Sequence, residues 1–322
     1  MDRSLFVRLG VAGLLELPIA AMAQRGSGRL RRVAVLCQAM GLQPSFRAAM
    51  QELGYIEGQN LIFETRGARG DFDRFPSLAA ELLGSKPELI VAETNLGVLA
   101  AMRATTTIPI VMVNVSDPVA SGLVASLSRP GGNVTGGSAL WTELAGKSVE
   151  LVRAVLPNAV RLAVLMREAP DPVARFEAIR TAADRFSLST IAFRVASLRD
   201  LDPTFSRMVA QRTDAVIPLA FESTYEQLDS VIALAANSRL PAFYSFGDAV
   251  ARGALMSYGT SLSGKWKQAA MYVDRILKGA KPADLPVREP MTFELVINRR
   301  TAAHLGLTIP PALLLQADRI FT

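Results

Sequence analysis

Two residue types that carry much of enzyme and metal chemistry are nearly missing from these 322 residues, which hold one cysteine, Cys37, and one histidine, His304. A single thiol forms no internal disulfide and cannot make a two-thiol racemase. One imidazole leaves almost no material for a histidine-based metal site or a Ser-His-Asp triad, so no catalytic residue and no metal ligand is assigned. Charge is thin as well. Charged residues make up 20% of the chain, and 35 Lys+Arg against 29 Asp+Glu give a net +6. The basic residues are scattered, with only Arg25, Arg29, Arg31 and Arg32, and the pair Arg299 and Arg300, close together. Nucleic-acid binding needs a basic stripe with aromatics or a reading helix, so no nucleic-acid partner is expected.

Phosphate loops are also lacking. Gly259 to Lys265 has Walker A spacing, but Trp266 stands where a hydroxyl should reach magnesium; Gly146-Lys147-Ser148 has the right ending, but Trp141 replaces the leading glycine. No G-x-G-x-x-G follows the first expected strand, so neither nucleotide hydrolysis nor a dinucleotide is read here, and no cofactor is expected. The apolar run Leu9 to Ile19 is too short to span a bilayer, and no later run is both long enough and free of charge.

What is present is apolar: half of the residues are hydrophobic, which excludes disorder and favours an α/β core. Arg3 and Arg8, the run Leu9 to Ile19 (interrupted by Glu16 and Pro18) and Ala21-Met22-Ala23 read as a signal peptide over residues 1–23, so export to the periplasm is expected. Cys37 ends an apolar strand and reads as a small buried hydrophobe.

Strands are expected at Arg31 to Cys37, Asn60 to Glu64, Glu88 to Ala92 and Ile108 to Val115, separated by helices Ser45 to Leu53, Phe75 to Leu83 and Leu96 to Thr105. Such alternation argues for a parallel sheet covered on both faces. Pro118 breaks the last of these strands, Val119 to Leu127 reads as a short helix, and a strand Asn133 to Ser138 follows. The rhythm then restarts: helix Leu144 to Leu156, strand Arg161 to Met166, helix Val173 to Phe186, strand Thr190 to Val195, helix Leu201 to Ala210, strand Ala215 to Leu219, helix Tyr225 to Ser238 and strand Ala242 to Phe246. Two similar α/β halves are implied. A tail with strand Ala254 to Tyr258, helix Leu262 to Leu277, a Pro-rich crossing, strand Phe293 to Ile297 and a helix near Arg300 to Leu305 could complete both halves.

Open α/β sheets bind ligands outside the carboxyl ends of their strands. The candidate ligand-binding residues are therefore Gln38, Met40, Glu93, Thr94, Asn95, Ser116 and Asp117 in the first half, with Met166, Phe221, Glu222 and Tyr244 in the second. Helix N-termini beside these loops suit a carboxylate, while Asp117, Glu93 or Glu222 suits an amine.

Several blocks then carry a family resemblance: FRAAMQELGYIEGQNLIFETRGARG (46–70), LAAELL (78–83), TIPIVMVNVSDPVASGLVASLSRPGGNVTG (107–136), GALMSYG (253–259), ILKGAKPADLPV (276–287) and FELVINRRTAAHLGLTIPPALLLQAD (293–318). The chain resembles ABC-transporter substrate-binding proteins of the TrpX-like group. That resemblance implies two doubly wound parallel-sheet lobes of the type I periplasmic-binding fold, joined by three crossovers near Ala139, Thr260 and Arg288. The lobes would be residues 24–139 with 261–288, and 140–260 with 289–322. It also implies a monomer that closes on a small molecule, such as an aromatic amino acid, and presents it to a membrane ABC permease. In the family's G-T-P-A-A loop this chain has Glu93-Thr94-Asn95-Leu96-Gly97, and Ser116-Asp117-Pro118 matches a T-D-P-like turn, which makes Asp117 the leading site residue. The alternatives are a ligand-sensing subunit for a membrane receptor and an enzyme on the same fold.

Overall fold

The architecture was obtained as a computed structural model, which describes residues 30–39, 41–167, 172–219, 225–290 and 292–322. The expected signal segment, together with Met40, Phe221 and Glu222, lies outside the described residues. In chain order the first elements are β1 (Arg31–Cys37), α1 (Pro44–Glu52), β2 (Leu61–Gly67), α2 (Phe75–Gly84), β3 (Leu89–Glu93), α3 (Thr94–Ala104), β4 (Ile110–Ser116) and β5 (Val134–Ala139). They form a parallel sheet of order β2-β1-β3-β4-β5. Because strand side chains alternate, Val33, Val35 and Cys37 face one hydrophobic cluster while Ala34 and Leu36 face another. β3 and β4 divide in the same way, which is why both read as continuous apolar runs.

The segment after Pro118 corrects one expectation. Val119 to Leu127 is a set of turns, with no helix. Leu123 and Val124 donate back to the Pro118 carbonyl, and Gly122 at φ +69° takes the chain into the left-handed region before a second helical turn forms.

The second set is α4 (Leu144–Val155), β6 (Arg161–Arg167), α5 (Pro172–Asp184), β7 (Ser189–Val195), α6 (Leu201–Ala210), β8 (Ala215–Leu219), α7 (Tyr225–Asn237), β9 (Phe243–Tyr244), α8 (Gly247–Ala251) and β10 (Met256–Gly259). α9 (Leu262–Leu277), β11 (Glu294–Asn298), α10 (Arg299–His304), α11 (Pro311–Gln316) and β12 (Arg319–Phe321) follow. Strands β7-β6-β8 and β12-β11-β10-β9 are joined through a Val216–Ala242 bridge, and only the β10–β11 pairing among these is antiparallel. α8, α11 and β12 were not expected from the sequence; each is short, with six residues or fewer.

The tail serves both sheets. α9 lays Trp266, Ala270, Val273 and Leu277 into the cluster that also holds Val33 and Phe46, while β11, α10 and α11 place Leu295, Ile297, Ala302 and Leu313 against β6. The crossing near Arg288 runs beside β5, where Ser138 N–H donates to the Arg288 carbonyl at 3.0 Å.

Candidate functional site

The carboxyl ends of the first sheet's central strands carry a tightly bonded polar surface. At the end of β1 the Gln38 backbone N–H donates to Glu93 Oε2 at 2.9 Å, and its side-chain amide donates to Glu93 Oε1 at 3.1 Å. Glu93 is only 5% exposed. A buried carboxylate is costly unless hydrogen-bonded, and these two donors supply that compensation. Next in the chain, Thr94 opens α3 at φ +66°, and its hydroxyl accepts from the Gly97 N–H at 3.3 Å. Asn95 ties the neighbouring strand: its Nδ2 donates to the Ser116 carbonyl and to Ser121 Oγ, both at 2.7 Å, and its Oδ1 accepts from the Ser116 N–H at 2.9 Å. Asp117 is exposed; its carboxylate accepts from the Ala120 N–H at 3.1 Å and so caps the turn after β4.

β4 itself is irregular. Its register with β5 shifts between Met112 and Val115, and Asn114 within that interval sits at φ +58°. Asn tolerates this conformation better than other non-glycine residues, and such bulges re-aim side chains beside functional sites. Opposite the bulge a Cβ on Gly136 would fall on Met112's backbone, so only glycine permits the approach.

The bulge presents Asn114 Oδ1 to Lys265 Nζ at 2.9 Å, in the first turn of α9. From there a buried chain crosses between the sheets. Lys265 Nζ lies 3.9 Å from the centroid of Trp141, in the crossing segment after β5, and Arg175 Cζ lies 4.6 Å from the same centroid. Arg175, on α5, reaches Ser245 Oγ at 3.5 Å, just past β9. Lys265, Trp141, Arg175 and Ser245 are each 8% exposed or less. Among the described residues, the buried charged side chains are Glu93, Arg175 and Lys265. Trp141, Arg175 and Lys265 were not assigned as ligand residues from sequence. No local pattern marks them, since they come from a crossing, a helix flank and a near-miss phosphate loop that only the fold brings together.

Two expected residues in the second half are placed elsewhere. Met166 alternates with Leu162 and Val164 into the core under α4 and α5, with no exposed surface. Tyr244 turns into the opposite core, beside Val231 and Phe246, where its hydroxyl has no hydrogen-bond partner and burial drives its pKa upward. Period-two alternation assigns the cleft side to its neighbour Ser245.

At the outer edge, a cavity of about 430 Å³ lies between the loop after β2 and the ends of β6 and β7, lined by Gly70, Asp71, Phe72, Arg167, Ser197 and Gln227 among others. Arg167 Cζ stacks 5.1 Å from the Phe72 centroid, a contact between the two sheets' ends. Burial pulls the guanidinium's pKa down, with the charge of Asp71 opposing that shift. Cys37, in contrast, is sealed: burial, then the charge of Glu93, pushes its thiol up to about 12, so it holds its proton at neutral pH and is no activated nucleophile.

Known proteins share this fold. A crystal structure of a conserved domain protein from Vibrio cholerae superposes with TM-score 0.81 at 28% identity, covering 91% of this chain and all of the other. The structure of an ABC domain in complex with L-Trp from Streptococcus pneumonia gives 0.80 at 26% identity, covering 90% and 99%. A tyrosine-binding protein of Clostridioides difficile (strain R20291) is 25% identical over 300 residues, which is 93% of this chain and 81% of that protein. The paired α/β sheets are those of the type I periplasmic-binding fold. The family of ABC transporter substrate binding proteins matches residues 39–321, and the chain belongs to it.

Proposed function

We propose that this chain captures an amino acid, most simply an aromatic one, between two lobes that close over it, and delivers it from the periplasm to an ABC permease. The lobes are residues 24–139 with 261–288, and 140–260 with 289–322, and the protein acts as a monomer without chemistry of its own. The observation that carries the reading is the meeting of side chains from both sheets at the Trp141 ring, Lys265 from α9 and Arg175 from α5, beside the bonded polar strand ends of the first sheet. Relatives whose names specify tyrosine or L-Trp support an aromatic amino acid. Thr94, Ser116, Asp117, Phe221 and Glu222 are proposed to line the remaining contact surface.

The test is a thermal-shift and calorimetric screen of the purified protein against the twenty amino acids. A ligand at a hundred times its Kd stabilises the native state by ~2.7 kcal/mol, a shift of about 4 °C for a chain of this size. Tyrosine or tryptophan should give that shift. A folded protein indifferent to every amino acid would refute the reading.

A further inference from the structure

The turn after β2 meets the second sheet at Gly70. Two left-handed residues make that turn, Arg69 at φ +56° and Gly70 at φ +77°. It is fixed from below: the Ala68 N–H donates to the Cys37 carbonyl at 2.9 Å, and the Gly70 N–H donates to the Gln38 carbonyl at 3.2 Å. Phe72, two residues on, stacks on the buried Phe75 with ring centroids 5.8 Å apart. The loop is therefore tied to β1 and to α2, with little room to retreat. From the other side come Gln227, in the first turn of α7, and Arg167, at the end of β6. A Cβ on Gly70 would run into Gln227 Nε2 and lie 3.0 Å from Arg167 Nη1. Neither side chain is loose. Gln227 is 6% exposed, and Arg167 is half-buried with its guanidinium 5.1 Å from the Phe72 centroid.

A left-handed turn accounts for a glycine by itself, because glycine enters that region without steric cost. It does not account for an empty side-chain position directly under a buried amide and a guanidinium. We infer that Gly70 is the seat on which the second lobe comes to rest: the missing side chain lets α7 and β6 approach the loop after β2, and that approach limits how far the lobes close. The inference rests on the two-lobe closure proposed above and adds the residue at which it stops. Gly70 is a positioning residue, acting on the ligand through the closed state. An obstacle there lowers the share of molecules able to close, and apparent affinity falls by the same factor.

Asparagine separates the two roles of this glycine, since it accepts positive φ while filling the space. Calorimetry of the full chain with L-tyrosine and L-tryptophan reads affinity, small-angle scattering with saturating amino acid reads compaction, and denaturant unfolding without ligand reads stability. Gly70→Asn should weaken binding about 10- to 100-fold, the effect of overfilling a packed contact. It should also enlarge the radius of gyration of the bound protein and leave the unfolding midpoint unchanged. Gln227→Ala, added to Gly70→Asn, should recover most of the affinity by emptying the opposite side. Wild-type affinity and compaction in Gly70→Asn overturn the inference and leave the glycine to the turn alone. Weakening that Gln227→Ala does not relieve, or that a lowered midpoint accompanies, overturns it too, because the damage then lies in the loop. Neither outcome touches the amino-acid reading. If the wild-type protein binds neither amino acid, the aromatic reading falls, and scattering of the ligand-free chain decides the seat: Gly70→Asn must enlarge it and Gln227→Ala must reverse the change, or the inference falls as well. Should Gly70→Asn not fold, as judged by its circular dichroism, Gln227→Trp fills the same space from α7. Weakened binding with an expanded bound state then supports the inference, and wild-type behaviour overturns it.

Discussion

The strand ends of the two sheets are built differently. In the first, polar side chains bind one another: Gln38 to Glu93, Asn95 to Ser116 and Ser121, Asp117 to its own turn. In the second, two cationic side chains reach outward, Arg167 to Phe72 across the edge cavity and Arg175 to Trp141 in the crossing, while Ser197 after β7 bonds Asp200 in its own turn. On the proposed closure the first surface is a preformed half-site, and the second is a set of arms whose contacts depend on the lobes being together. Preorganised contacts contribute to folding stability, whereas contacts made only on closure contribute to ligand affinity, because they bias one state of a two-state equilibrium. Substitutions in the two regions should thus separate stability from affinity.

The largest effect is expected at Asn95. Asn95→Ala removes three short bonds and leaves the Ser116 N–H without its acceptor in a half-buried turn, a loss of about 3 kcal/mol. Denaturant unfolding should show the lowered midpoint. Ser245→Ala is the matched substitution in the second region, where the single 3.5 Å contact from Arg175 is long; it should cost under about 0.5 kcal/mol. Equal losses at the two positions would erase the distinction between a preformed half and a reaching half.

Cys37 sharpens the contrast from beneath the first surface. Its thiol is held up at about 12, against an ordinary value of 9.0, by burial and by Glu93. The folded protein keeps this proton where the unfolded chain loses it, so the unfolded state binds fewer protons above pH 9 and stability falls as pH rises from there toward 12. Between pH 9 and 10 the decline should be about 1 kcal/mol. Cys37→Ala should flatten that interval in a stability-versus-pH series, and iodoacetamide should label the native thiol only as fast as the protein opens. Rapid alkylation at pH 9 in the folded state would mean that the first half-site is not sealed.

Much of the fold was legible because its signal is local. Buried parallel strands such as Arg31–Cys37 and Ala215–Leu219 are apolar runs between breakers, and α9, stopped by Gly279, matched its expected bounds, Leu262 and Leu277. The turn segment after Pro118 misled because its Ala and Leu residues are good helix formers, whereas its Val and Ser residues are weak ones and Gly122 takes the chain left-handed. Strand ends that bond to one another were legible on the first half. Gln38, Glu93, Asn95 and Ser116 follow directly from strand ends, and they do meet. Met166 and Tyr244 were named by the same rule, but a one-residue change of position along a strand reverses the face, and the rule does not fix that parity. Trp141, Arg175 and Lys265 are joined by tertiary structure across 125 residues of sequence, which no periodicity encodes.

The smallest effect tests the reaching half by itself. Arg167 touches Phe72 from the opposite sheet, and a cation over an aromatic face at a partly exposed site contributes roughly 0.5–1 kcal/mol. On the proposed closure that contact is made only while the lobes are together, so Arg167→Ala should weaken ligand affinity about two- to fivefold, the same energy expressed as a ratio. It should do so through faster release, since the closed state is what the contact prolongs. The unfolding midpoint of the ligand-free protein should stay where it was, because neither core cluster of the second sheet includes this side chain. Stopped-flow release of the bound amino acid, set beside a denaturation curve of the same variant, reads both quantities. A drop in stability with release unchanged would place Arg167 among the preformed contacts, and the division between the two halves would then have to be drawn at the crossing segments instead of between the strand ends.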